Sequence, residues 1–161
     1  MSIADILNSK KVSLSFEVFP PKKKEALESI KETALSLTKL NPDFISVTFG
    51  AGGTTQSYTA EIAEAIENNG TTSLAHLTCV RSTLEDLEAT IADLKKRNIK
   101  NVLALRGDLP KDAAEGENVF LEEGGANGFS TFMAYYILTA DSMAGGKEML
   151  SIIKEYFGAM L

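Results

Sequence analysis

Glu17, Thr48, His76 and the triplet Arg106-Gly107-Asp108 are residue types suited to chemistry, and each stands in or just after a short apolar run. Together they offer an acid, a hydroxyl, an imidazole and a cation beside a carboxylate. Glu17 lies between Phe16 and Val18, so in a strand its side chain points away from theirs. Facing the centre of a parallel sheet, that carboxyl would be poorly solvated. Desolvation disfavours the charged form, as a general acid near neutrality requires. The same residue also reads as a sheet-edge glutamate facing water. Thr48 can donate to a ligand carbonyl, or serve simply as a β-former. His76 reads as a ligand contact or as a satisfied core histidine. With no second histidine in the chain, a metal site is not expected. Arg106 can offer several donors to a ring or a pyrophosphate, and Asp108 can accept from ring N–H groups. The plainer reading pairs Arg106 with Asp108 in a turn.

These residues need elements to bring them together, and the chain has a repeat that can. Candidate strands start near Val12, Phe44, Ser73 and Asn101. The first three are each followed by a helical pattern, which is the rhythm of βα units with parallel strands. Val12–Val18 stops at Pro20-Pro21, and a helix over about Lys24–Leu40 places Leu27, Ile30, Ala34 and Leu37 on one face before Asn41-Pro42. Phe44–Phe49 runs into Gly50–Thr55, and the next helix carries Tyr58, Ile62 and Ile66 before Asn68-Asn69-Gly70. Ser73–Cys79 precedes a helix with Leu84, Leu87, Ile91 and Leu94, closed by Asn98. Asn101–Leu105 then reads as a buried strand that delivers Arg106 and Asp108 at its C-terminal end.

Gly50–Thr55 could form an anion nest at a helix N-terminus. It has no Walker lysine and misses the dinucleotide fingerprint. Lys22-Lys23-Lys24 reads as a solvated helix start, and Cys79 as a small buried hydrophobe. After Pro110 the rhythm fails. Residues 111–128 read as an acidic loop, 129–139 as apolar and leaning to helix, and 147–157 as a helix.

The 161 residues suit a single domain able to bury a core. Net charge is −6, with −1 over residues 1–110 and −5 over 111–161. An acidic tail argues against nucleic acid as a partner. No apolar run approaches the ~20 residues of a membrane span. The N-terminus lacks a signal-peptide layout, and a lone cysteine excludes an internal disulfide. A cytoplasmic protein is expected.

Four segments, SFEVFPPK at 15–22, FISVTFGAGGTT at 44–55, LAHLTCV at 74–80 and NVLALRGDLP at 101–110, resemble methylenetetrahydrofolate reductase in content, order and spacing. The resemblance covers roughly the first 110 residues. It implies a (β/α)8 barrel carrying non-covalent FAD. Reduced nicotinamide, NADH or NADPH, reduces the flavin, which passes a hydride to 5,10-methylenetetrahydrofolate and gives 5-methyltetrahydrofolate. Carried over by position, the family's acid falls on Glu17, its flavin-contacting threonine on Thr48 and its flavin-contacting histidine on His76. The strand-end flavin cluster falls on Leu105, Arg106, Gly107 and Asp108. Asp108 is implied to lie near both flavin and folate, acting on flavin potential and on the iminium cation.

The sequence departs from that family after residue 110. A barrel of this kind needs eight βα units, usually ~250 residues, and no counterpart of strands five to eight is recognisable here. The expected fold is therefore α/β, with parallel βα repeats forming a partial or half barrel. The alternative to a reductase is a non-catalytic half-barrel or regulatory subunit, completed by a second copy or another chain. A third reading is an unrelated parallel α/β enzyme that holds a phosphate at Gly50–Thr55.

Overall fold

The computed structural model describes residues 2–9, 12–49, 56–78 and 82–105. By their contacts, Met1–Thr78 and Glu85–Leu105 form one compact unit. In chain order the elements are α1 (Ile3–Ser9), β1 (Ser15–Val18), a single 3-10 turn (Lys24–Ala26), α2 (Leu27–Thr38), β2 (Phe44–Val47), α3 (Gln56–Asn68), β3 (Ser73–Thr78), α4 (Leu84–Lys96) and β4 (Val102–Leu105).

The four strands form one parallel sheet in the order β1-β2-β3-β4. Each strand lies beside the one made just before it, with no reversal of direction across the sheet. A doubly wound sheet reverses its order at a switch point and places helices on both faces. An unreversed order with right-handed crossovers keeps every helix on one side, which is the winding of a (β/α)8 barrel. The core agrees. Val18, Ile45, Val47 and Ala75 are buried against Leu27, Ala34, Ala60, Ile62, Ala63, Ile66 and Leu94. All four strand residues belong to the same face by alternation and register. Ile45, Ile62 and Ile66 have no accessible surface, and each such burial contributes roughly 2–3 kcal/mol relative to exposure.

The helical faces follow the expected periodicity. Leu27 and Ala34 are buried in α2, with Ile30 and Leu37 packed at the edge of the core. Tyr58 packs beside Ile62 and Ile66 in α3, and Leu87, Ile91 and Leu94 are buried in α4. Three expected stops take the left-handed backbone: Asn41 at φ 52°, Gly70 at φ 85° and Asn98 at φ 60°. The outer layer is tied by polar contacts. Asn69 Nδ2 donates to Thr38 Oγ1 at 2.7 Å, and Arg97 bonds both Asp93 in α4 and Glu64 in α3. Burial alone would lower the Arg97 pKa, but the bonds to Asp93 and Glu64 outweigh it and raise the value.

Four details differ from the sequence reading. β1 starts at Ser15 rather than Val12, because pairing with β2 begins at Ser15↔Phe44 and Val12, 84% exposed, has nothing to pack on. The helix expected from Lys24 starts instead with a 3-10 turn and becomes α-helical at Leu27. α1 was not anticipated: it buries only Ile6, too weak a pattern for periodicity, and is held by the Ile3 amide donating to Asn101 Oδ1 at 3.0 Å. β4 is a strand as expected but not a buried one. Val102, Leu103 and Leu105 are each 36–40% exposed, since β4 pairs with β3 alone among the described residues.

Candidate functional site

The sheet face turned away from the helices carries the polar residues. Register aligns Glu17 with Ser46 and Ser46 with Leu74, and the next residue of β3 on that side is His76, aligned with Leu103. Alternation adds Thr48, Thr78 and Leu105 to the same side. Thr48 directly follows β2, and the ladder reaches it: its N–H donates to the Val18 carbonyl at 3.0 Å. Its own carbonyl accepts from Thr59 Oγ1 at 2.9 Å, which fixes α3 to the end of β2.

Glu17, the penultimate residue of β1, anchors the group. Its Oε2 accepts from Ser46 Oγ at 3.3 Å and lies 3.8 Å from His76 Nε2. The latter distance is too long for a direct hydrogen bond. The His76 side chain is 12% exposed and that of Glu17 48%. Burial pushes the His76 imidazole below its ordinary value of 6.5, and the nearby Glu17 charge pulls upward without overcoming it. At neutral pH His76 is therefore uncharged, with one nitrogen free to accept and the other to donate.

Two of the expected residues thus meet directly. Glu17 does point away from the Phe16 and Val18 side, and it faces His76 across β2. Of the two readings of its carboxyl, poorly solvated or facing water at a sheet edge, the half-exposed side chain fits the second. β1 is an edge of the described sheet. Thr48 and Leu105 stand at strand ends on the same side; Leu105 pairs with Thr78 in register. Arg106, Gly107 and Asp108, the glycine-rich segment 50–55 and Cys79 lie outside the described residues. Ser46, which the sequence reading did not single out, is the direct partner of Glu17. It could have been found by aligning FEV with ISV at their final valines, which sets Glu17 opposite Ser46.

A shallow groove of about 290 Å³ lies on the helical layer, lined by Lys31, Glu61, Glu64, Ala65, Asn68 and Arg97. Its cations are engaged, Arg97 by Glu64 and Asp93 and Lys31 by Glu28. It is on the far side of the sheet from Glu17. No helix among the described residues is long and apolar enough to cross a membrane.

Strands laid side by side in chain order, helices on one face, and an acid, a hydroxyl and an imidazole gathered on the other define a partial barrel of the parallel α/β class. Residues 2–124 match the family model described as methylenetetrahydrofolate reductase, and the chain belongs to that family. It is similar to the maize protein named methylenetetrahydrofolate reductase (NADH) 1, with 38% identity over 117 residues, 71% of this chain and 19% of that protein. It is 34% identical over 107 residues to the 5,10-methylenetetrahydrofolate reductases of Salmonella typhimurium and Escherichia coli, 66% of this chain and 36% of each of those proteins. The chain therefore spans between about a fifth and about a third of the length of these relatives.

Proposed function

We propose that this chain carries the acid-bearing part of a flavin-dependent reductase that converts 5,10-methylenetetrahydrofolate to 5-methyltetrahydrofolate with NAD(P)H, in the cytoplasm. The single observation that carries the reading is the Glu17–Ser46–His76 group on the helix-free face of a sheet wound as in the family's barrel. The activity for which the relatives are named supports the substrate class.

The open face suits FAD in its chemistry. Leu74, Leu103 and Leu105 offer apolar surface to a planar ring, and Thr48 and His76 offer hydrogen bonds to its polar edge. Thr48, His76 and Leu105 from the described residues, with Arg106, Gly107 and Asp108, are the proposed holders. When bound, FAD supplies the hydride, taken from the reduced nicotinamide. The chain's own part is a proton. The methylene bridge of the folate must open at one C–N bond before its carbon can accept hydride, and the departing nitrogen must gain a proton as that bond breaks. Glu17 gives that proton and becomes a carboxylate. Ligand laid over the face excludes water from the carboxyl, and a carboxyl without water holds its proton more readily. Asp108 is the proposed partner for the positive charge left on the other nitrogen.

The test is flavin titration followed by rapid-mixing kinetics of each half-reaction. Glu17→Gln is expected to lower the folate half-reaction at least about a hundredfold and to spare flavin reduction by NAD(P)H. Survival of both half-reactions would reject Glu17 as the acid. A second reading follows from β4, whose Val102, Leu103 and Leu105 are exposed: the chain contributes half of a barrel that a second copy or another chain completes. A flavin-free, inactive, monodisperse monomer by light scattering would count against the first reading and against self-assembly alike.

A further inference from the structure

Ser46 stands between two acceptors. Its Oγ is 3.3 Å from Glu17 Oε2 and 3.4 Å from the backbone carbonyl oxygen of Phe16. The residue is 7% exposed, so water has little access to compete for the hydroxyl. A serine hydroxyl has one proton and two lone pairs. It cannot donate fully to both oxygens at once, and the choice depends on what Glu17 presents. An ionised Glu17 offers only acceptors, and a charge-assisted bond from Ser46 is then the stronger one. A Glu17 protonated on Oε2 offers a donor, which Ser46 Oγ can accept, leaving its own proton free to turn to the Phe16 carbonyl. Phe16 and Glu17 are adjacent on β1, and Ser46 is the register partner of Glu17 on β2. A rotation about its own C–O bond is therefore the only movement Ser46 requires.

We propose that Ser46 is a positioning residue for Glu17, its hydroxyl donating to Oε2 when Glu17 is ionised and, when Glu17 is protonated, accepting from it while donating to the Phe16 carbonyl. The inference rests on the reading of Glu17 as the proton donor for its catalytic meaning, though the two-way bond itself does not. Balance is simple: the Oε2–H bond turns from Ser46 Oγ to the folate nitrogen as Glu17 gives up its proton, the hydroxyl proton of Ser46 swings from Phe16 O to the Oε2 left charged, and no further proton enters or leaves. Ser46 thus holds the carboxyl in one orientation through both protonation states. Without it, the side chain of an edge-strand glutamate that is half exposed is free to rotate into water.

The test joins a spectrum to kinetics. Isotope-edited infrared spectra of the chain are recorded at acid and neutral pH, with Glu17 isolated by subtracting the Glu17→Gln spectrum. In Ser46→Ala both the protonated and the ionised Glu17 bands are expected to shift, and Ser46→Thr is expected to restore both. Ser46→Cys, which keeps the side-chain shape at slightly larger size and weakens the donor, gives an intermediate shift and serves if the alanine variant does not fold. Movement of the ionised band alone would overturn the two-way bond, and bands unmoved in both states would overturn the contact. In rapid mixing, Ser46→Ala is expected to slow the folate half-reaction about tenfold and to slow flavin reduction far less, with rescue by threonine. Shifted bands together with a folate half-reaction insensitive to Glu17→Gln would leave the Ser46 bond standing and reject the reading of Glu17 as the acid. An equal slowing of both half-reactions would reject positioning.

Discussion

Oε2 of Glu17 lies 3.8 Å from Nε2 of His76, with strand β2 between their two strands. The imidazole is largely buried and the carboxylate half exposed, so the pair is asymmetric. His76 pays the cost of burial, while Glu17 keeps much of its water.

That asymmetry sets a pH dependence of stability. The His76 pKa is lowered in the folded chain, chiefly by burial, relative to its ordinary 6.5. Above 6.5 the histidine is neutral in both the folded and unfolded states and adds nothing to the pH dependence. As pH falls below 6.5 the unfolded chain takes up the proton first, so stability is lost until the folded-state value is passed, and the loss then levels off. His76→Asn is expected to flatten this part of the curve. Urea midpoints of both proteins between about pH 7.5 and about pH 5.5 measure it; an identical slope in the variant would refute the burial argument.

The two faces of the sheet differ in what they contribute to the chain alone. Ile45 is fully buried against the helices, whereas Leu103 is 40% exposed on the other face. Ile45→Ala is expected to cost about 3 kcal/mol through lost burial and a residual cavity. Leu103→Ala is expected to cost less than about 1 kcal/mol. Equal losses in chemical denaturation would mean that the Leu103 face is covered in solution.

Asn98 ends α4 at φ 60°, a conformation that costs a residue with an ordinary Cβ about 1 kcal/mol. Asn98→Ala is expected to lose about that amount and Asn98→Gly to remain within about 0.5 kcal/mol of the parent. Thermal unfolding of the two variants gives the comparison, and an alanine variant as stable as the glycine one would show that the turn has rearranged.

Arg97, the residue after α4, links two helices through Asp93 on α4 and Glu64 on α3. The contacts are partly exposed, so Arg97→Met is expected to cost only about 1 kcal/mol. Added salt should shrink the difference. A double-mutant cycle with Glu64→Gln isolates the link between the helices, and a coupling near zero would reduce it to a surface contact.

Sequence periodicity found three helical faces and four strands because apolar spacing records burial directly, as Ile62 and Ile66 or Leu87, Ile91 and Leu94 illustrate. It found the stops at Asn41, Gly70 and Asn98 because few residue types accept that backbone. It could not find the exposure of β4, and for Glu17 it left open both a poorly solvated carboxyl and one facing water. Apolar content in Asn101–Leu105 says that a strand wants cover, not whether cover is present. Ser46 was missed for a different reason. A serine among Phe, Ile and Val has no signature of its own, and its meaning comes from the register that sets it beside Glu17.

The neighbour-to-neighbour strand order has a bearing on how the chain is made. Each pairing joins segments close in the chain, such as Ser46 with Glu17, 29 positions apart, so every new strand can dock on one already laid down as the polypeptide leaves the ribosome. A contrast among the described residues is the clasp between Ile3 and Asn101, 98 positions apart. The opening helix must wait unseated until the last of these strands has been synthesised, and a nascent chain stalled short of Asn101 would show it loose.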